Sequence, residues 1–170
     1  MMDIKLKLFI RNYNGGPGVR ISWGEQMLFD QILAKKGLNE ISLNVDKFAL
    51  PNSLIIEMYN KDMRHDTLLD ENKNIIDDKA CYIAEVCFGD IALTQELFLF
   101  NFKKESGDVS SNNVYMGFNG KFTVDITSDN LHEWYHGLQK HLLTNTEKFD
   151  YEQFKTEIFG INKINYSIKY

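Results

Sequence analysis

Ile4, Leu6, Leu8 and Ile10 alternate with Asp3, Lys5, Lys7 and Phe9, the period of a strand with one buried face. Asn14-Gly15-Gly16-Pro17-Gly18 reads as a turn. Val19, Ile21 and Trp23 give a second strand broken at Gly24, and Met27, Phe29 and Leu33 carry the alternation toward Lys35-Lys36-Gly37. Ile41, Leu43 and Val45 predict another strand, ended near Pro51, and Leu54 to Tyr59 the next. Leu68-Leu69 and Ile75-Ile76 flank Asp70-Glu71-Asn72-Lys73-Asn74, predicting a hairpin with Asn in a left-handed turn position.

Ala80 to Phe88 and Glu96 to Phe102 are apolar on both parities, predicting two central strands. The Ser-, Gly- and Asp-rich stretch from Lys103 to Asn113 reads as a mobile loop. Asn119-Gly120 stands between two strand patterns, 114–118 and 121–126, and predicts a type I′ hairpin. After residue 126 the period changes. Thr127 or Ser128 is placed to cap a helix on which Leu131, Trp134, Tyr135, Leu138 and Leu142 share one face. A second helix is expected near 150–158 with Gly160 as its stop, and a weak terminal strand over 164–170. Short strands about ten residues apart predict a mainly β fold, a jelly-roll-like antiparallel β-sandwich with a short C-terminal helical segment. The expected division is a sandwich over 1–126 and a helical extension over 127–170, packed on the sandwich or on a partner.

Within 170 residues, twelve Phe and eight Tyr strengthen the β reading. A net charge of −5, with no basic stripe beyond Lys35-Lys36 and Lys103-Lys104, argues against a nucleic-acid partner. No apolar run approaches the ~20 residues of a membrane span, and the first residues lack a signal-peptide core, so synthesis in a cytoplasm is expected. Cys81 and Cys87 fall on one predicted strand, roughly 20 Å apart, beyond the about 7 Å limit of a disulfide. Reduced, structural thiols are expected.

His132-Glu133-Trp134-Tyr135-His136 matches the H-E-x-x-H of zinc peptidases, where two histidines at i and i+4 ligate Zn²⁺ and the glutamate is general base. On a helix of 3.6 residues per turn, His132 and His136 border the solvated flank. Gln139 stands where the longer motif carries glycine, so a third ligand must come from elsewhere, and Glu152 or Glu157 could reach back to supply it. The favoured reading is therefore an amphipathic helix with exposed histidines and no catalytic residue. The alternative is a small zinc hydrolase using His132, His136 and Glu133.

Asp66, Asp70, Asn72, Asn74 and Asp77, with Asp78, make an oxygen-rich stretch, an alternative Ca²⁺ site. It is no EF-hand, since Ile75 replaces the required glycine and Cys81 the final glutamate. Turn chemistry alone also explains such residues. No serine elbow or phosphate loop is present. Trp23, Tyr59 and Tyr115 are candidates for stacking on sugar rings if exposed.

The segment from Leu50 to Leu93, with Leu54 to Lys61, Asp66-Thr67, Asp70 to Lys79 and Ile83 at its centre, resembles small tailed-phage β-sandwich proteins of the marine-phage type. Those are in turn similar to calcium-dependent xylan-binding carbohydrate modules. The resemblance implies a non-enzymatic virion structural or accessory protein, such as a capsid decoration, neck or tail component, assembled in the host cytoplasm and able to meet glycan. Its implied partners are other virion proteins, copies of itself and cell-surface glycan, met through exposed aromatics and sheet edges. No cofactor is expected on this reading, with Zn²⁺ or Ca²⁺ as the alternatives.

Overall fold

The computed structural model describes residues 1–46 and 48–144. Along them run strands β1 (Met2–Asn12), β2 (Gly18–Trp23), β3 (Gln26–Ile32), β4 (Gly37–Val45), β5 (Asn52–Tyr59) and β6 (Thr67–Leu69). Then come β7 (Ile75–Phe88), β8 (Ile91–Leu93), a 3-10 helix (Gln95–Leu99), β9 (Asn101–Lys104), β10 (Val109–Ser110), β11 (Tyr115–Met116), β12 (Gly120–Ile126) and helix α1 (Leu131–Thr144). The second helix expected near 150–158 and the strand over 164–170 lie outside the described residues.

The strands form two antiparallel sheets, as the alternation predicts. The first is ordered β11-β7-β1-β4, with β6 and β8 also paired to β7, and the second β10-β9-β12-β5-β2-β3. One apolar core lies between them. Ile4, Leu6, Leu8 and Ile10 face it from β1, and Leu54, Ile56, Phe122 and Val124 from the second sheet, all at most 1% exposed. Alternation explains why the two sheets pack face to face: each strand has one apolar side to remove from water.

A bulge decides where the two thiols point. Lys7 pairs with Glu85 but Leu8 with Ile83, so the ladder gains a residue at Ala84. Such an insertion turns the following side chains to the other face. Cys81 is buried in the core while Cys87 is only partly covered, and both are free. Burial pushes the Cys81 thiol up to about 12, which keeps it protonated.

Several expectations fail where tertiary contacts override local signals. Asn119-Gly120 does not close a hairpin: Tyr115 and Met116 pair with β7 in the first sheet, whereas Gly120–Ile126 pairs with β5 and β9 in the second. Residues 117–119 cross between sheets. Glycine is needed at 120 for closeness, because a Cβ there would stand 2.4 Å from the Lys103 carbonyl oxygen. The apolar run 96–102 is not one central strand. It begins as the 3-10 helix, with Leu97 and Phe98 both in the core and Glu96 Oε2 accepting the Thr94 N–H at 3.0 Å. The stretch 103–113 contains the short edge strand β10. In the 69–75 turn the left-handed residue is Lys73 (φ 67°) rather than an asparagine. Asp70 organises that turn by accepting the N–H groups of Asn72 and Asn74, both at 2.8 Å.

Candidate functional site

The outward face of the second sheet carries a register-aligned row of charge. Asp30 opposes Arg20, Arg20 opposes Glu57, Glu57 opposes Lys121, and Lys121 opposes Lys103. Arg20 Nε donates to Asp30 Oδ2 at 3.0 Å and the Tyr59 hydroxyl donates to Asp30 Oδ1 at 2.5 Å. These bonds, Tyr59's first and Arg20's second, hold the Asp30 carboxyl below its ordinary range. One residue pair further along the strands, Ser22, Ile55, Thr123 and Asn101 make a neutral row.

Helix α1 walls this face at one end. Asn130 caps it, its Oδ1 accepting the N–H groups of His132 and Glu133 at 3.0 and 3.1 Å. The expected caps Thr127 and Ser128 lie too early, and Ser128 instead accepts the Asn130 N–H. Trp134 anchors the helix. It is 6% exposed, packs edge-on to Phe88 with ring centres 6.2 Å apart, and donates its indole N–H to the Asp125 carbonyl at 3.0 Å.

Between α1 and the sheet lies a groove of about 650 Å³. Its floor is Asn101, Lys103, Lys121, Thr123 and Asp125, and its walls include Phe100, Trp134, Leu138 and Glu133. A smaller hollow of about 440 Å³ shares Lys103 and Lys121 and extends past Tyr59 and Glu57. Amide, hydroxyl, ammonium and carboxylate groups thus stand over partly apolar walls. This combination suits a ligand with many hydroxyls and apolar C–H patches.

Of the aromatic candidates, Tyr59 borders the smaller hollow, while Trp23 and Tyr115 line neither. Trp23 is not exposed: it is 3% accessible, stacked on Phe48 with centres 4.6 Å apart. Tyr115 stacks on Tyr82 at 4.7 Å and gives its hydroxyl proton to Asp78. Tyr59 is half-buried at the sheet surface, its ring over Gly18 and the Arg20 guanidinium 4.1 Å from its centre. The surface aromatic that sequence reading overlooked is Phe118, 37% exposed with the Lys104 ammonium 4.2 Å from its ring centre. The groove floor was overlooked too. Its only sequence signal is outward parity at Lys121, Thr123 and Asp125, which every half-buried strand shares.

His132 and His136 are exposed on α1, as its apolar stripe predicts, while Glu133 faces the groove. Among the described residues no three His, Cys, Asp or Glu side chains gather as a metal would require. Glu152 and Glu157, either of which the zinc alternative could draw on as a third ligand, lie outside the described residues.

Two solved structures share the architecture. The chain matches vCBM60 in complex with galactobiose at a TM-score of 0.52 and 10% identity, covering 72% of this chain and 97% of that one. It also matches the selenomethionine form of vCBM60, described with an evolutionary link between two families of calcium-dependent carbohydrate-binding modules. That match has a TM-score of 0.52 and 11% identity over 78% of this chain and 98% of that one. The likeness is one of fold. No family model matches the sequence, and no curated protein matches it.

Calcium does not fit the acidic stretch as folded, because ammonium, guanidinium and amide groups already occupy its oxygens. Asp66 bonds Lys79 at 2.8 Å and Asn14 at 3.0 Å. Asp70 and Asn74 bond each other, and Asp77 meets Arg11 at 3.4 Å and Lys36 at 4.0 Å. Asp78 bonds Lys61 at 2.5 Å and Thr67 at 2.8 Å. Ca²⁺ wants six to eight oxygens around one point, whereas Asp66, Asp77 and Asp78 face different cations and Asp70 faces only amide groups.

Proposed function

We propose that this chain is a non-enzymatic glycan-binding module whose ligand lies along the outer face of the second sheet, in the groove beside α1. The carrying observation is the groove itself: Asn101, Thr123 and Asp125 offer directional hydrogen bonds beneath the apolar wall of Phe100 and Leu138. A binding role for the structurally similar vCBM60, seen with galactobiose, supports the same reading. Lys103 and Lys121 sit side by side where the two hollows meet, so acidic polysaccharides are the favoured class.

Affinity electrophoresis against neutral and acidic polysaccharides, with and without Ca²⁺, tests this. Retarded migration in an acidic glycan, lost in an Asn101→Ala/Thr123→Ala variant, is expected. No retardation by any polysaccharide would sink the reading.

The setting we propose is a tailed-phage virion assembled in the host cytoplasm, with other virion proteins, further copies of the chain and cell-surface glycan as partners. Its support is the resemblance of residues 50–93. Mass spectrometry of purified particles should find the chain in virions, and its absence from them would remove the virion setting while leaving glycan binding to stand.

A further inference from the structure

Two lysine–aspartate pairs are shut inside one end of the sandwich, and they differ. In the first, Lys79 Nζ lies 2.8 Å from Asp66 Oδ2 and also donates to the Asn60 carbonyl. Asp66 further accepts the Asp62 N–H at 2.7 Å. That is an ordinary, fully bonded ion pair.

The second is tighter and better sealed. Lys61 Nζ lies 2.5 Å from Asp78 Oδ1, and both side chains are 1% exposed. The same nitrogen is 2.5 Å from the Gly117 carbonyl oxygen. The Tyr115 hydroxyl donates to Asp78 Oδ2, and the Thr67 hydroxyl to Oδ1 at 2.8 Å. Lys61 lies two residues past the end of β5 of the second sheet, while Asp78 belongs to β7 of the first.

We propose that Lys61 and Asp78 condense to an intramolecular isopeptide bond that ties the two sheets together. Nζ is already in hydrogen-bond contact with Oδ1, so Cγ lies at most one carbon–oxygen bond farther, near the about 3–3.5 Å reach of an attacking atom. Within the pair a proton passes from Nζ to Oδ1, leaving a neutral amine and a carboxylic acid. Nζ then attacks Cγ. The Nζ–Cγ bond forms, the Cγ–Oδ1 bond breaks, and Oδ1 departs as water with two of the three ammonium protons. The third remains as the amide N–H, donated to the Gly117 carbonyl, and Oδ2 becomes the amide oxygen. No net proton and no oxidant is exchanged.

The surroundings favour each step. Burial pulls the Lys61 ammonium down from its ordinary value of 10.5, against the Asp78 carboxylate that holds it up. Burial, and then the bond to Asp78, push the Tyr115 phenol up, so it stays protonated and polarises the C–Oδ2 bond. Condensation also removes two charges that are costly to keep in a water-excluded interior.

Intact-mass spectrometry of the denatured full-length protein tests the bond. The expected mass is one water below that of the sequence, with a branched peptide joining Lys61 to Asp78 after proteolysis. Lys61→Arg and Asp78→Ala should each return the full mass for their sequence. Full mass in a folded wild-type protein overturns the proposal, as does a water loss that maps to another residue pair. The wild-type measurement decides even where a variant fails to fold.

Discussion

Asn119 grips the backbone of Lys61 at both ends of the residue. Its side-chain oxygen accepts the Lys61 N–H at 2.9 Å, and its side-chain nitrogen donates to the Lys61 carbonyl at 3.0 Å. The two residues are 58 positions apart, so the clamp joins the crossover between sheets to the end of β5. Asn119→Ala should cost about 2 kcal/mol, because two partly buried backbone groups lose their partners. Urea unfolding checks it, and a change below about 0.5 kcal/mol would mean water replaces the clamp.

The helix should depend on its tryptophan and not on its histidines. Trp134→Ala removes a buried ring and the bond to Asp125, for a loss of about 3 kcal/mol. His132→Ala and His136→Ala, both at exposed positions, should stay within about 0.5 kcal/mol of wild type. Thermal unfolding with and without added Zn²⁺ reads both. Stabilisation by zinc that His132→Ala abolishes would instead favour the hydrolase reading.

Acid should loosen the end of the sandwich that holds Asp66. Burial pushes its carboxyl up, but hydrogen bonds from Lys79, the Asp62 N–H and Asn14 outweigh this and hold it below the ordinary 3.8. A carboxylate lowered in the folded state contributes stability that is full above the unfolded value and is lost as pH falls through the folded one. Stability should therefore decline below about pH 4, and Asp66→Asn should be less stable at neutral pH with a flatter acid limb. An unchanged acid limb in that variant would contradict this.

Binding of an acidic glycan should weaken with salt. Lys103 and Lys121 are strand neighbours on the open face, where screening over about 10 Å at 0.1 M salt reduces attraction. Lys121→Ala should lose about 0.5–1 kcal/mol of affinity at low ionic strength and much less at 1 M. Calorimetry at two salt concentrations measures the difference, and a salt-independent loss would point to packing instead.

Gly120 should resist any side chain. A Cβ there meets the Lys103 carbonyl oxygen at 2.4 Å and the Lys104 Cα at 2.8 Å, backbone atoms that move only by parting β9 from β12. Gly120→Ala should cost about 1–3 kcal/mol in chemical denaturation and displace Lys103 within the groove.

Strand positions and their buried faces were legible wherever alternation was clean, as in β1, β4 and β12. The two-parity run at 96–102 was not, since a 3-10 helix followed by a strand also buries consecutive apolar residues. The groove was not legible either, because β9, β12 and α1 meet only after sheet assembly. The histidine pair was placed correctly on the exposed flank because helical periodicity alone fixes that geometry.

The mainly β architecture, the amphipathic helix and the buried side of most strands can be read along the chain alone. These follow from local periodicity, since a strand or helix sorts its own side chains into faces. Tertiary structure decided which strands are neighbours, that Asn119-Gly120 crosses between sheets, and that Lys61, Asp78, Tyr115 and Thr67 meet in one sealed site. Those outcomes depend on contacts between residues tens of positions apart, whose energies outweigh the local turn preference.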